Sequence, residues 1–571
     1  IHGANEVQYL TLGVGGSHHA LIAGITRSGK SSLLHTIIMR ALTQYKSPDE
    51  LNIYLVDFKR GVEFKIYADY VLPMFKVIAI ETEREFGYSI LETLEREQKV
   101  RADLFKRNHV DKIQEYRELP NYNKLPKMPR IILIMDEFHE LFYNGNDEIG
   151  KKSSIIMERI VRQGAAFGIH LILASQSYSN ITSLDKAVFD QMTVRIVLKC
   201  SKADANLLLD GGSTEIDQIS IDDPGRAVYN SEAGNKEYSS HFRVAYIEPE
   251  KHRKMLQDIS DSTKKFADAN HSTRILLSNI EDNNYSIFNQ FETMEADNYK
   301  TTGRLYIGEP LSVSNTMTMD FTRSEYSNLL MIGGDNEKAR SMFTFAILSL
   351  CINYKIVNRK APEKPCIYLF NCKPLNDSYF KDTIKLLAEF LPEYIQYVSL
   401  GDKNKIQGIV SQMYENIINE TGRIDNDKYF LVFGYQRAEE LKSEIQLSQS
   451  ENIDSLFNIM QPSNSDSRLS LKEMFRIIVK DGAQKGVHTL IWQDSFNALY
   501  QDDKDIMSYF SMKIAFDMSP EEYSRFVSAN DINLMGENNA IYYNRAQDNQ
   551  KFRPYQSPDE EWLKKICDKL K

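Results

Sequence analysis

The residues Gly24-Ile25-Thr26-Arg27-Ser28-Gly29-Lys30-Ser31 spell the pattern G-x-x-x-x-G-K-[ST], and no other feature constrains the fold as much. Such a loop works only between a buried strand and a helix. Its backbone N–H groups and the helix N-terminus must converge on one phosphate chain. The flanks comply: His19 to Ala23 is a short apolar run suited to a strand, and Ser32 to Met39 keeps apolar residues at helical spacing. The pattern predicts a nucleoside triphosphate site built from Gly24, Ile25, Thr26, Arg27, Ser28, Gly29, Lys30, Ser31 and Ser32. Lys30 is expected on the outer phosphates and the Ser31 hydroxyl on Mg²⁺.

Two later strands complete the expected site. Arg130 to Met135 is a continuous apolar run ending in Asp136-Glu137. Asp136 is suited to orient the Mg²⁺ shell, and Glu137 to polarise the attacking water. Ile169 to Ser175 is a second apolar run, ending in Gln176, whose amide can bond both water and phosphate. Between them, Ser153 or Ser154 is expected to cap a helix over Ile155–Arg162 that Gly168 stops. A further strand, Leu51 to Val56, ends in Asp57-Phe58-Lys59. Strands alternating with helices predict an α/β fold, a mainly parallel sheet covered on both faces.

At 571 residues and 42% hydrophobic content, the chain is long enough for more than one core. No apolar stretch reads as a bilayer span. A net charge of −10 gives no global basic field, so any nucleic-acid contact has to be local. The five cysteines (200, 351, 366, 372 and 567) lack metal-ligand spacing and read as buried thiols of a reducing compartment. The chain starts at Ile1 rather than Met. The expected location is cytoplasmic, with any membrane association through segments outside this chain.

Taken in order, Gly24–Ser31, Val56–Lys59, Met135–Phe138 and Gly168–Gln176 resemble the motor domain of FtsK/SpoIIIE-type ATPases, in the RecA-like FtsK/HerA branch. The resemblance covers about residues 10 to 245. It implies ATP and Mg²⁺ as ligands, ring-forming homo-oligomers, and either DNA pumping or the powering of type VII protein secretion. Lys30, Ser31, Asp136, Glu137 and Gln176 take the catalytic positions by this resemblance. Arg162 and Arg195 take positions from which an arginine can reach a neighbouring subunit's nucleotide. There are two departures. Arg27 replaces a glycine usual in the loop, and Ala165 falls where DNA-pumping members commonly carry an arginine.

The remainder reads as a second copy. Phe475 to His488 mirrors Met157 to His170 at an offset of 318 residues, and Ile367 to Lys373 mirrors Ile53 to Lys59 at an offset of 314. Asn328 to Gly333 parallels His19 to Gly24. The expected domains are 1–248 (active module), 249–302 (polar connector, with some helix over 250–267) and 303–571 (degenerate module). In the second copy Ala339 stands at the lysine position, Gly434-Tyr435 replace the carboxylates, and Asp494 faces the Gln176 position. That copy is expected to be a pseudo-ATPase.

DNA is the substrate the sequence favours. A DNA-translocating reading draws on Lys151, Lys152 and Lys186, in loops (144–152 and 178–186) expected to face a ring's channel. A protein-secretion ATPase, or a nucleotide-gated switch for an effector protein, fits the tandem arrangement and the acidic balance.

Overall fold

The computed structural model describes residues 7–59, 63–80, 83–142, 148–179, 181, 184, 186–267, 273–277, 288, 291, 303–313, 317, 319–358, 361–372, 382–399, 401–418, 426–444, 469–527, 539–544 and 547–571. It forms two compact units: Ile1–Ile280 with Ser312–Ser314, and Glu281–Leu311 with Asn315–Lys571.

The first unit is built on strands β1 (Ala20–Ala23), β2 (Leu51–Asp57), β3 (Phe75–Ile80), β4 (Arg130–Asp136), β5 (Ile169–Ser175), β6 (Val194–Val197), β7 (Arg226–Asn230), β8 (Ser239–Arg243) and β9 (Arg274–Leu277). Their order across the sheet is β8-β7-β6-β1-β5-β4-β2-β3-β9. All pairings from β6 to β9 are parallel, while β7 and β8 add an antiparallel edge. The central strands are apolar on both faces because helices cover both. These helices include α1 (Lys30–Gln44), α2 (Arg84–Asn108), α3 (Glu148–Gln163) and α4 (Pro249–Thr263).

Two expectations need correction here. The helix expected from Ile155 begins at Glu148, so Ser153 and Ser154 lie inside it rather than at its cap. Gly150 and Ser153 extend the buried stripe of Ile156, Met157, Ile160 and Val161 by two small residues, which an apolar-residue count overlooks. The segment 249–302, expected as a connector, supplies α4 and β9 to the first unit. One face of α4 buries His252 and Leu256, with the His252 ring 5.1 Å from that of His35.

The second unit repeats the plan with β10 (Gly308–Pro310), β11 (Leu329–Ile332), β12 (Ile367–Asn371), β13 (Ile395–Ser399), β14 (Lys428–Phe433), β15 (Val487–Gln493), β16 (Met512–Ala515), β17 (Ala540–Asn544) and β18 (Gln547–Pro554). Their order is β10-β18-β17-β16-β11-β15-β14-β12-β13. Eight strands therefore match one for one with those of the first sheet. The hydrogen bonds repeat as well. His170 Nδ1 lies 2.9 Å from the His18 carbonyl oxygen, and His488 Nδ1 lies 2.9 Å from that of Ser327. The Leu171 N–H donates to His19 Nδ1, and the Thr489 N–H donates to Asn328 Oδ1.

Helix α5 (Asn336–Asn358) of the second unit is, by length and composition, apolar enough to cross a membrane, against the sequence expectation that no such stretch exists. Most of its residues are buried in this unit's core, among them Phe343, Ile347, Leu350 and Cys351. All five cysteines are buried and unbridged.

Candidate nucleotide site

The site forms where β1, β5 and β4 lie side by side and end on the same edge of the sheet. Ala23 pairs with Ser175, and Ala174 pairs with Asp136. The Gly24–Gly29 loop, Asp136-Glu137 and Gln176 leave adjacent strand ends, so three separated stretches of sequence converge on one place.

The loop is shaped for close backbone approach. A Cβ on Gly24 would meet Ser28 Oγ at 2.5 Å, and Gly29, at φ 100, faces Gly225 with a would-be Cβ contact of 2.9 Å. The Gly225 N–H donates to the Ser28 carbonyl at 2.8 Å. Glycine is needed at both faces of this contact, and Gly225 had no signal in the sequence beyond its Pro224-Gly225 turn. Arg27 adopts φ 66, the left-handed region that glycine enters without steric cost, which accounts for the glycine usual there. Helix α1 starts at Lys30 with no side-chain cap on its first turn, and Ser28 Oγ is buried without a hydrogen-bond partner. Uncapped amides, an orphaned hydroxyl and a buried lysine make a donor set that fits a phosphate chain.

Lys30 Nζ is ion-paired with Asp136 and lies 2.7 Å from Glu137 Oε1. All three side chains are buried. Burial opposes the Lys30 charge, but the two carboxylates outweigh it and hold its pKa above the ordinary lysine value. Burial also raises Asp136, against the pull of Lys30. Glu137 ends below its ordinary value, because Lys30 and the Gln176 donors overcome burial. Glu137 has φ 52, an uncommon conformation for a residue with a side chain. Its carboxylate is held by the Gln176 N–H at 3.0 Å and by Gln176 Nε2 at 2.6 Å. His139, not singled out in the sequence, lies 3.4 Å from Glu137 Oε2 and bonds Ser175 Oγ at 2.9 Å.

Among the described residues no cluster of three His, Cys, Asp or Glu side chains has metal-site geometry. Ser31, half-buried on α1, and Asp136 fit the partial oxygen set of a phosphate-bound Mg²⁺, for which phosphate and water supply the other ligands.

The remaining expected residues are dispersed. Arg195 is only 7% exposed, and its guanidinium bonds the carbonyls of Met192, Leu208 and Phe189. It braces its own unit, which corrects the expectation of a group free to reach a neighbour. Arg162 is exposed near the end of α3, paired at 2.8 Å with Glu158. Lys151 and Lys152 lie on α3 rather than in a loop, and Lys152 pairs with Glu148. Lys186 opens the short helix Lys186–Gln191. Tyr178 is buried, its hydroxyl accepting from the Ile22 N–H, and Asp204 Oδ1 takes the Tyr178 and Ser179 N–H groups. Residues 144–147, and 180, 182, 183 and 185, of the two expected channel loops lie outside the described residues.

The second unit differs at each equivalent point. Gly333-Gly334-Asp335 is the whole connection between β11 and α5, against Gly24 to Gly29 in the first unit. Asp335 Oδ1 accepts the Glu337 and Lys338 N–H groups, taking the amides an anion would need. Lys30 opens α1 whereas Asn336 opens α5, so the shorter connection leaves Ala339, fully buried, three residues into its helix rather than at the expected lysine position; Gly434 turns at φ 87, and Tyr435 is packed in the core.

A model of the FtsK/SpoIIIE family matches residues 4–180. The chain is 32% identical over 230 residues to the ESX secretion system protein EccC of Geobacillus thermodenitrificans, covering 40% of this chain and 15% of that protein. It is 33% identical over 196 residues to the DNA translocase FtsK of Helicobacter pylori (strain J99), covering 34% of this chain and 22% of that protein. The chain thus spans less than a quarter of either relative. The cytoplasmic domain of the Thermomonospora curvata type VII secretion ATPase EccC superposes with TM-score 0.61 at 18% identity, covering 97% of this chain and 62% of that one. EssC (ATPases 2 and 3) of Geobacillus thermodenitrificans superposes with TM-score 0.53 at 13% identity, covering 95% and 91%. The amino-terminal unit carries a P-loop ATPase domain of the FtsK/SpoIIIE family, in tandem with a second unit of the same topology.

Proposed function

We propose that this chain is the ATP-hydrolysing part of a homo-oligomeric motor that moves a polymer, with turnover in the first unit alone. The observation that carries this reading is the Lys30–Asp136–Glu137 cluster at the end of three adjacent strands, beside an uncapped helix N-terminus. Mg²⁺, held through Ser31 and Asp136, would neutralise the phosphates and orient the triphosphate. Lys30 would move its charge from the carboxylates to the outer phosphates. Glu137, relieved of that ion pair, would accept the proton of the attacking water, with Gln176 fixing its carboxylate. Arg162, exposed on α3, is the proposed arginine offered to an adjacent subunit. The second unit, with Asp335 capping its own helix and no carboxylate at Gly434-Tyr435, is proposed to be a pseudo-ATPase.

Two substrates fit. The tandem plan, shared along the chain with the type VII secretion ATPases, supports an exported protein and a place at the cytoplasmic side of a membrane. The similarity of the first unit to FtsK translocases supports DNA. The helical setting of Lys151 and Lys152 removes the channel-loop argument that favoured DNA from sequence, so we take both readings forward. The test is ATP turnover by the full chain with and without duplex DNA at about 50 and 200 mM salt. Salt-sensitive stimulation supports DNA translocation. Turnover indifferent to DNA supports a protein substrate. No ATP turnover under any of these conditions contradicts the motor reading itself.

A further inference from the structure

Glu137 is held from two points of the same loop. Lys30 reaches its Oε1 directly at 2.7 Å. The second connection is indirect: Thr26 Oγ1 donates to Gln176 Oε1 at 3.0 Å, and Gln176 Nε2 donates to Glu137 Oε1 at 2.6 Å. The orientation of the Gln176 amide is settled by chemistry. A carboxylate only accepts, so Nε2 must face Glu137, which leaves Oε1 to take the Thr26 hydroxyl. The Gln176 N–H occupies Glu137 Oε2 at 3.0 Å, so both oxygens of the base are engaged. Thr26 is exposed and lies in the phosphate loop, where a triphosphate can reach it.

We infer that Thr26 is a positioning residue that acts through Gln176 and restrains Glu137 until phosphates enter the loop. A carboxylate saturated by donors is a poor proton acceptor. A triphosphate seated in the loop draws Lys30 to itself and displaces the Thr26 hydroxyl from Gln176. Both restraints on Glu137 are thereby relaxed by one event, which ties activation of water to occupancy of the loop. This rests on the proposed ATPase reading, in which Glu137 is the base.

The test uses the full chain and its Thr26→Val and Thr26→Ser variants, with steady-state turnover and the Kd of a fluorescent ATP analogue. Valine keeps the shape and removes the donor. Because the phosphates no longer have to displace that hydrogen bond, Thr26→Val should bind the analogue about two- to tenfold more tightly, with kcat at saturating ATP changed by less than about threefold. Serine should keep the wild-type ratio of kcat to KM. If Thr26 acts through Gln176, Thr26→Val should have no further effect in a Gln176→Leu background. A Kd that is unchanged or weakened in Thr26→Val, or additive effects on Kd in the double variant, would each overturn the inference. Failure of the underlying reading is distinguishable, because then wild type and Glu137→Gln would show the same turnover.

Discussion

Lys30 Nζ lies 2.7 Å from Glu137 Oε1, and the two side chains are 6% and 3% exposed. With Asp136 on the same ammonium group, one lysine balances two buried carboxylates. Removing it leaves them without a cation, a change that costs about 3–5 kcal/mol for buried pairs.

Lys30→Ala should therefore weaken the first unit as well as abolish nucleotide binding. Without Lys30, burial and mutual repulsion raise both carboxyl pKa values above those of the unfolded chain. A group with a raised folded pKa destabilises only where the unfolded form is ionised. The loss should be small below about pH 4 and grow toward neutrality. Urea denaturation of Lys30→Ala and wild type across that range is the check. A stability difference that does not change with pH would contradict the charge argument.

Arg195 and Arg162 should separate cleanly. Arg195→Ala orphans three buried carbonyl contacts and should destabilise the fold by roughly 2–4 kcal/mol, since each lost partner is worth about 1 kcal/mol or more. Arg162→Ala removes an exposed pair worth at most about 1 kcal/mol. If Arg162 completes a neighbour's site, its loss lowers turnover by about 10³–10⁵ at unchanged Tm. Mixing Arg162→Ala with Lys30→Ala subunits should then recover part of the activity. Full activity in Arg162→Ala would remove it from consideration.

The second unit should bind no nucleotide. Isothermal titration of the full-length Lys30→Ala chain with Mg·ATP should show no heat of binding, because Asp335 already occupies the helix amides in that unit. Adding Ala339→Lys should change nothing, as no carboxylate stands at Gly434-Tyr435. Micromolar binding in either protein would reveal a second site.

Arg27→Gly should be tolerated or stabilising. At φ 66 the arginine carries a left-handed backbone that costs about 1–2 kcal/mol in a residue with a side chain. Nucleotide affinity should hold within a fewfold, measured by the same titration. A large loss of affinity would show instead that the Arg27 guanidinium contacts the phosphates.

The candidate nucleotide site was legible because its parts sit at the ends of β1, β4 and β5, mainly apolar runs closed by Gly24, Asp136-Glu137 and Gln176. The repeat was legible because Phe475 to His488 and Ile367 to Lys373 recur at nearly fixed offsets from Met157 to His170 and Ile53 to Lys59. What escaped the sequence depends on partners far along the chain. Arg195 looks like any strand arginine until three carbonyls are folded around it. Gly225 acquires meaning only against Gly29. Helix α4 was legible in the sequence, but strand β9, a four-residue run at the sheet edge within a polar stretch, was not. The start of α3 was obscured because its first buried residues are Gly150 and Ser153 rather than large apolar ones.

The most direct measurement of the central claim is ATP hydrolysis and ATP affinity in wild type beside Glu137→Gln. The amide keeps the shape at Glu137 and removes the base, so the account predicts binding within a fewfold of wild type and turnover lowered by about 10²–10⁴. Near-normal hydrolysis in Glu137→Gln would contradict it.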